Sequence, residues 1–144
     1  MDLTKSYPRS VKDKFAGVVM LGRAIDKGRA KNAGTLGEYK YDCPMDQAVF
    51  GVLGINAESF AKELGRSDAD LEKYVKDTFI SKVDAAKITE FNTAFLTRGP
   101  SDADGQKYFD GLRDQIAPDR KDVTAWPDLL DLDEKRPVPV KTPA

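Results

Sequence analysis

The chain has no histidine and a single cysteine, Cys43, in 144 residues. The first absence removes His-assisted nucleophile chemistry and His-bearing zinc sites. The second excludes an intrachain disulfide and a thiolate metal cluster. Long apolar runs are missing too. The longest lies near Val18-Val19-Met20-Leu21, far short of the roughly 20 residues a membrane helix needs. The opening residues, Met1-Asp2-Leu3-Thr4-Lys5-Ser6, lack the basic-then-apolar pattern of a secretory signal. The phosphate loop GxxxxGK[ST], a GxGxxG turn after a strand and an Asp-rich calcium loop are absent as well. These absences lead to the expectation of a cytoplasmic protein with no membrane contact, no cofactor and no metal site. Any catalysis would fall to Asp, Glu, Lys, Tyr or Cys43, and any metal would be a hard, oxygen-bound ion.

What is present suits one folded domain. Residues are 40% hydrophobic and 33% charged, enough apolar material for one core beneath a well-solvated surface. The net charge of −1 gives the whole molecule no pull on nucleic acid. The charge is uneven: residues 1–33 hold eight Lys/Arg against three Asp, a net +5, which leaves −6 for the remainder. Mutual neutralisation within the fold is the simpler reading, and a local anion site the sharper one.

The periodicity is helical throughout, with no strand-like alternation. Val11, Phe15, Val18, Gly22 and Ile25 recur at spacings of four and three, which predicts a long first helix from an N-cap at Ser10 to Ala33. Cys43-Pro44 opens a second helix that Gly54 ends, and Asn56 caps a third that Gly65 stops. Ser67-Asp68-Ala69-Asp70 starts a helix carrying Leu71, Tyr74, Val75 and Phe79. Asp84 caps the next, with Ile88, Phe91 and Phe95 inward. Ser101-Asp102-Ala103-Asp104 starts another, with Tyr108, Phe109, Leu112 and Ile116, and Trp126-Pro127 opens a last short one. The two Ser-Asp-Ala-Asp segments lie 34 residues apart. Such a segment is also a generic helix start, so a true repeat is disfavoured. The expectation is an all-α, single-domain bundle of about six or seven short to medium helices over 1–135, with a Pro-rich tail over 136–144, extended or disordered.

Two segments hold residues that could carry chemistry. Arg29 falls on the buried stripe of the first helix, with Asp26 and Arg23 beside it. A buried charge must be paired, so Asp26 is predicted to pair with Arg29 or Arg23. Alternatively these residues hold an anionic ligand. The second segment runs Glu38-Tyr39-Lys40-Tyr41-Asp42-Cys43-Pro44-Met45-Asp46-Gln47. Cys43 sits at a helix start, where a thiol can become reactive. Asp42 and Asp46 oppose this, and the alternative is a structural cysteine with Asp46 capping the helix. Trp126, Tyr108 and Phe109 fall at helical spacing among apolar positions and are predicted to lie in the core.

In these segments the chain resembles a bacterial family of small uncharacterised proteins, catalogued as domain of unknown function 5069. The resemblance opens with Asp2-Leu3-Thr4-Lys5 and Pro8-Arg9-Ser10. It continues through Arg23-Ala24-Ile25-Asp26-Lys27 and Arg29-Ala30, and is most specific at Gly37-Glu38-Tyr39, Tyr41, Cys43-Pro44-Met45-Asp46-Gln47 and Leu53-Gly54-Ile55. It returns at Trp126-Pro127-Asp128-Leu129-Leu130-Asp131. The family usually has a proline where this chain has Gly22, which points to an uninterrupted first helix here. The resemblance implies no activity and transfers no catalytic residue. It marks Arg23–Arg29 and Tyr39–Gln47 as a common feature.

Two functions follow as expectations. One is a small non-catalytic binding or protein-interaction domain with an unknown protein partner. The other is an enzyme or metabolite sensor that takes a small anionic metabolite in a pocket lined by Arg23, Asp26, Arg29, Tyr39, Tyr41, Asp46 and Gln47, with Cys43 as a candidate reactive thiol. Convergence of Arg29 and Asp46 on one open cavity would favour the second. An exposed apolar patch or groove would favour the first.

Overall fold

Helices carry the whole architecture in this computed structural model, which describes residues 1–141. In chain order they are α1 (Leu21–Ala33), α2 (Pro44–Leu53), α3 (Ala57–Ala61), α4 (Asp68–Thr78), α5 (Ala85–Leu96), α6 (Ala103–Ile116) and α7 (Trp126–Asp133), with a 3-10 turn at Ile80–Lys82. No strand forms among the described residues. An isolated antiparallel bridge joins Phe15 to Val18. The all-α class read from the sequence is the class observed. The chain's contacts group into two compact units, Met1–Asn92 and a second from Thr93 onward, with the boundary inside α5.

The first unit is built around α1, whose residues Leu21 to Gly28 are all buried. The start of this helix corrects the sequence expectation. Ser10 caps nothing helical, and residues 11–20 form a tight irregular wrap. Ala16, Gly17 and Met20 have φ of 54°, 80° and 70°, left-handed conformations that no α-helix contains. The wrap is closed instead by Met20 N–H to the Val11 carbonyl at 2.9 Å. The Asn92 side chain clasps it, accepting from Val19 N–H at 3.0 Å and donating to the Gly17 carbonyl at 2.9 Å. The apolar stripe is real, since Val11, Phe15, Val18 and Ile25 are buried, but a compact loop rather than a helix delivers its first half. Gly22 therefore lies in the first turn of α1, the place where a helix also tolerates proline.

Gly28 admits the neighbouring elements to α1. A methyl group there would stand 2.4 Å from Leu64 Cδ1 and 2.9 Å from Tyr41 Cε1, so only glycine permits this approach. The remaining helix starts follow the sequence. Asn56 accepts from Ser59 N–H and Ser67 from Asp70 N–H, and Asp84 accepts from Ala86 N–H, each an N-cap bond.

The second unit packs α6 against α7 around Phe109, Val123 and Leu129, with Leu112, Ile116, Trp126 and Leu132 alongside. Phe109 meets Trp126 edge-on at 4.8 Å. Tyr108 departs from the core expectation: it precedes the inward Phe109 by one position on the helix and is 64% exposed. α6 is capped by Asp102, whereas α4 uses Ser67, the preceding position of the same four-residue pattern. The two segments thus start their helices in different frames, as unrelated capping sequences would. Of the expected tail, residues 142–144 lie outside the described residues. Residues 137–141 are irregular and anchored: Asp122 accepts from Lys141 N–H at 3.0 Å, and Arg120 donates to the Pro139 carbonyl at 3.2 Å.

Candidate functional site

The polar residues of α1 divide between two networks. In the first, Asp26 is buried and takes three bonds from Arg9: the backbone N–H at 2.8 Å, Nε at 3.1 Å and Nη2 at 3.0 Å. Arg9 also reaches Asp68 through Nη1 at 3.3 Å. Arg29 meets the same carboxylate at 2.7 Å and donates to the carbonyls of Leu64 at 3.0 Å and Arg66 at 2.9 Å. The predicted pairing of Asp26 with Arg29 or Arg23 is therefore replaced by Arg9, which the irregular wrap brings beside α1. Arg29 spends its fork on the turn between α3 and α4. Its hydrogen bond, with the nearby Arg9 charge, holds the Asp68 carboxyl below the ordinary aspartate range. Arg23 is buried, donates to the Arg9 carbonyl at 3.2 Å and lies over the Tyr39 ring at 5.6 Å.

The second network joins α1 to the start of α2. Asp42 turns the chain with a left-handed φ of 66°, which a short polar side chain tolerates. Cys43 then takes the N-cap position and Pro44 the first helical one. Asp46 Oδ2 accepts from Cys43 N–H at 3.1 Å, closing the turn as a capping carboxylate. The same oxygen lies 2.8 Å from Lys27 Nζ, and both side chains are buried. Lys27 Nζ also donates to Cys43 Sγ at 3.2 Å. Asp46 Oδ1 is buried without a hydrogen-bond partner.

The other predicted residues do separate work. Tyr41 donates its hydroxyl to the Ala57 carbonyl at 2.7 Å, and its ring meets Phe50. Burial, with the charges of Asp46 and Asp42 adding, pushes its phenol above the usual tyrosine range, so it stays a donor. Gln47 is exposed and donates to the Asp42 carbonyl at 3.0 Å. Arg29 and Asp46 thus belong to different networks. Sequence reasoning missed Arg9, Lys27 and Asp68. Lys27 had a usable signal: on a helix whose middle is apolar most of the way round, its charge needed a counter-charge from another element. No group of His, Cys, Asp and Glu suited to a metal occurs among the described residues.

The chain matches the family described as Domain of unknown function (DUF5069) over residues 5–136. It belongs to that family. No curated protein matches it. No helix among the described residues is long and apolar enough to cross a membrane.

Proposed function

We propose that this protein is a non-catalytic protein-interaction domain of the bacterial cytoplasm, and that a groove between α6 and α7 receives an amphipathic segment of a partner protein. The observation that carries this reading is the groove itself. It has a volume of about 170 Å³ and is lined by Leu112, Ile116, Trp126, Leu129 and Leu130, with Gln115 and Asp133 as its polar members. The exposed ring of Tyr108 lies 6.3 Å from that of Trp126. Helix-in-groove recognition lays an apolar helix face into a hydrophobic groove, and aromatic side chains such as Trp and Tyr are the usual interface anchors. Asp133 is exposed and forms no ion pair among the described residues. The partner segment therefore carries apolar side chains on one face and a lysine or arginine at its edge. The alternative, an anion pocket at α1, has less support because Asp26, Arg29, Asp46 and Gln47 already bond within the chain. The cytoplasmic placement belongs to the same proposal and rests on one unpaired cysteine and a heavily charged sequence.

Trp126 is the sole tryptophan, so its emission reports on the groove directly. Synthetic amphipathic helical peptides with identical leucine faces and either lysine or glutamate edges should be titrated into the protein. Saturable change in Trp126 emission with the lysine peptide, and reversal of that preference in Asp133→Lys, are expected. Equal responses to both peptides, or no response, would overturn the proposal.

A further inference from the structure

The Lys27–Cys43–Asp46 cluster takes no part in the proposed groove, and its geometry has a chemical consequence of its own. We propose that Lys27 and Cys43 are a modification site: under peroxide the two side chains join covalently, tying α1 to the start of α2. Three observations carry this. Lys27 Nζ and Cys43 Sγ are 3.2 Å apart. Cys43 is half-buried rather than enclosed, whereas Lys27 is buried and held beside it. Asp46 Oδ2 lies 2.8 Å from the same Nζ, within direct reach of a proton.

The chemistry balances in two steps. Hydrogen peroxide transfers one oxygen to the Cys43 thiol, giving a sulfenic acid and water, with sulfur oxidised and peroxide reduced. The Lys27 ammonium passes a proton to Asp46 Oδ2. The free amine then attacks the sulfenic sulfur, an S–N bond forms, and the hydroxyl leaves with the second amine proton as water. Sulfenic acids condense with a backbone nitrogen in this way, and here a side-chain nitrogen occupies the attacking position. Asp46 ends neutral, the less costly state for a buried carboxyl whose cation has been consumed. A rotation about the terminal bonds of the lysine stem closes the remaining gap. A thiol reductant cleaves the S–N bond and restores both side chains, which makes the tie reversible.

The test uses the full chain treated with hydrogen peroxide, then analysed by intact mass and by tryptic mapping without reductant. The expected product has lost two hydrogens. Trypsin no longer cuts after Lys27, so a peptide spanning 24–29 appears joined to one spanning 41–62, and dithiothreitol separates them. Lys27→Arg keeps the cation opposite Asp46 but removes the amine. In that variant the joined peptide disappears and dimedone, a sulfenic-acid trap, labels Cys43. Should Lys27→Arg fail to fold, the wild-type chain decides alone: dimedone present during oxidation must suppress the joined peptide, and dimedone added afterwards must find little to label. Equal dimedone labelling in both orders, direct passage to sulfinic acid, or a Cys43 inert to peroxide would each overturn the proposal.

Discussion

Replacing Lys27 by methionine isolates the energetics of the buried pair. Methionine keeps most of the stem and its packing and removes only the ammonium. Asp46 would then be a fully buried carboxylate with Oδ1 already lacking a partner and Oδ2 holding only the Cys43 N–H. Stranding one member of a buried pair costs about 3–5 kcal/mol. For a chain of this length that corresponds to a fall in Tm of roughly 6–20 °C. Lys27→Met with Asp46→Leu removes both charges, and replacing a buried pair by apolar groups is often neutral. The double variant should therefore be more stable than Lys27→Met alone, the reverse of additivity. Urea denaturation followed by far-ultraviolet circular dichroism measures all three species, together with Asp46→Leu to complete the cycle. A loss below about 1 kcal/mol for Lys27→Met, against the 3–5 kcal/mol expected, would refute the reasoning. So would a double variant as unstable as the sum of the singles.

Asp68 supplies a pH dependence. Its carboxyl is held below the ordinary aspartate range, first by the Arg29 hydrogen bond and then by the neighbouring Arg9 charge. A depressed folded-state value means the stabilisation is fully present above the unfolded value of about 4 and is lost as pH falls through the folded one. Asp68→Asn should flatten the acid limb of a Tm-against-pH curve, and an unchanged limb would contradict the assignment. Gly28→Ala sets a helix-propensity gain of about 1 kcal/mol against overpacking of about 1–3 kcal/mol on Leu64 and Tyr41. A net loss of up to about 2 kcal/mol is expected by denaturation, and a gain would show that the contact yields freely. Asp122 is held well below the usual carboxylate range by Arg120 and by the Lys141 N–H. Asp122→Asn should speed hydrogen exchange at the Lys141 amide while leaving global stability little changed. Unchanged exchange at Lys141 would show that Asp122 does not hold that segment.

Most of the helical architecture was legible because its starts and stops are local chemistry. Asn56, Ser67 and Asp84 cap with their own side chains, and Gly34 and Gly54 end helices in the left-handed conformation that glycine favours. The stretch from Val11 to Met20 was misread for a definite reason. Spacings of three and four report which residues are buried, and a tight wrap can bury the same residues. Its left-handed turns at Ala16 and Met20 fall on residues that carry no turn signal. The clasp that holds it comes from Asn92, more than seventy positions away, and no local pattern announces such a bond.

The α1 site was legible as polarity and illegible as pairing. The sequence requires partners for Asp26 and Arg29, and Asp26 is buried. Assigning partners along one helix gave Asp26 to its helical neighbours, whereas Arg9 reaches it from outside the helix. The cause is geometric. Side chains three or four positions apart lie along the same face, so on a buried face they compete for the same counter-charge, and a chain crossing from another element offers a better angle. By the same argument Lys27, facing α2, finds Asp46 rather than Asp26. Three of the cations on α1 thus reach different neighbours: Arg23 bonds to the wrap, Lys27 to α2 and Arg29 to the turn before α4. Three of the eight cations in the first 33 residues therefore serve to fasten one buried helix to three surrounding segments.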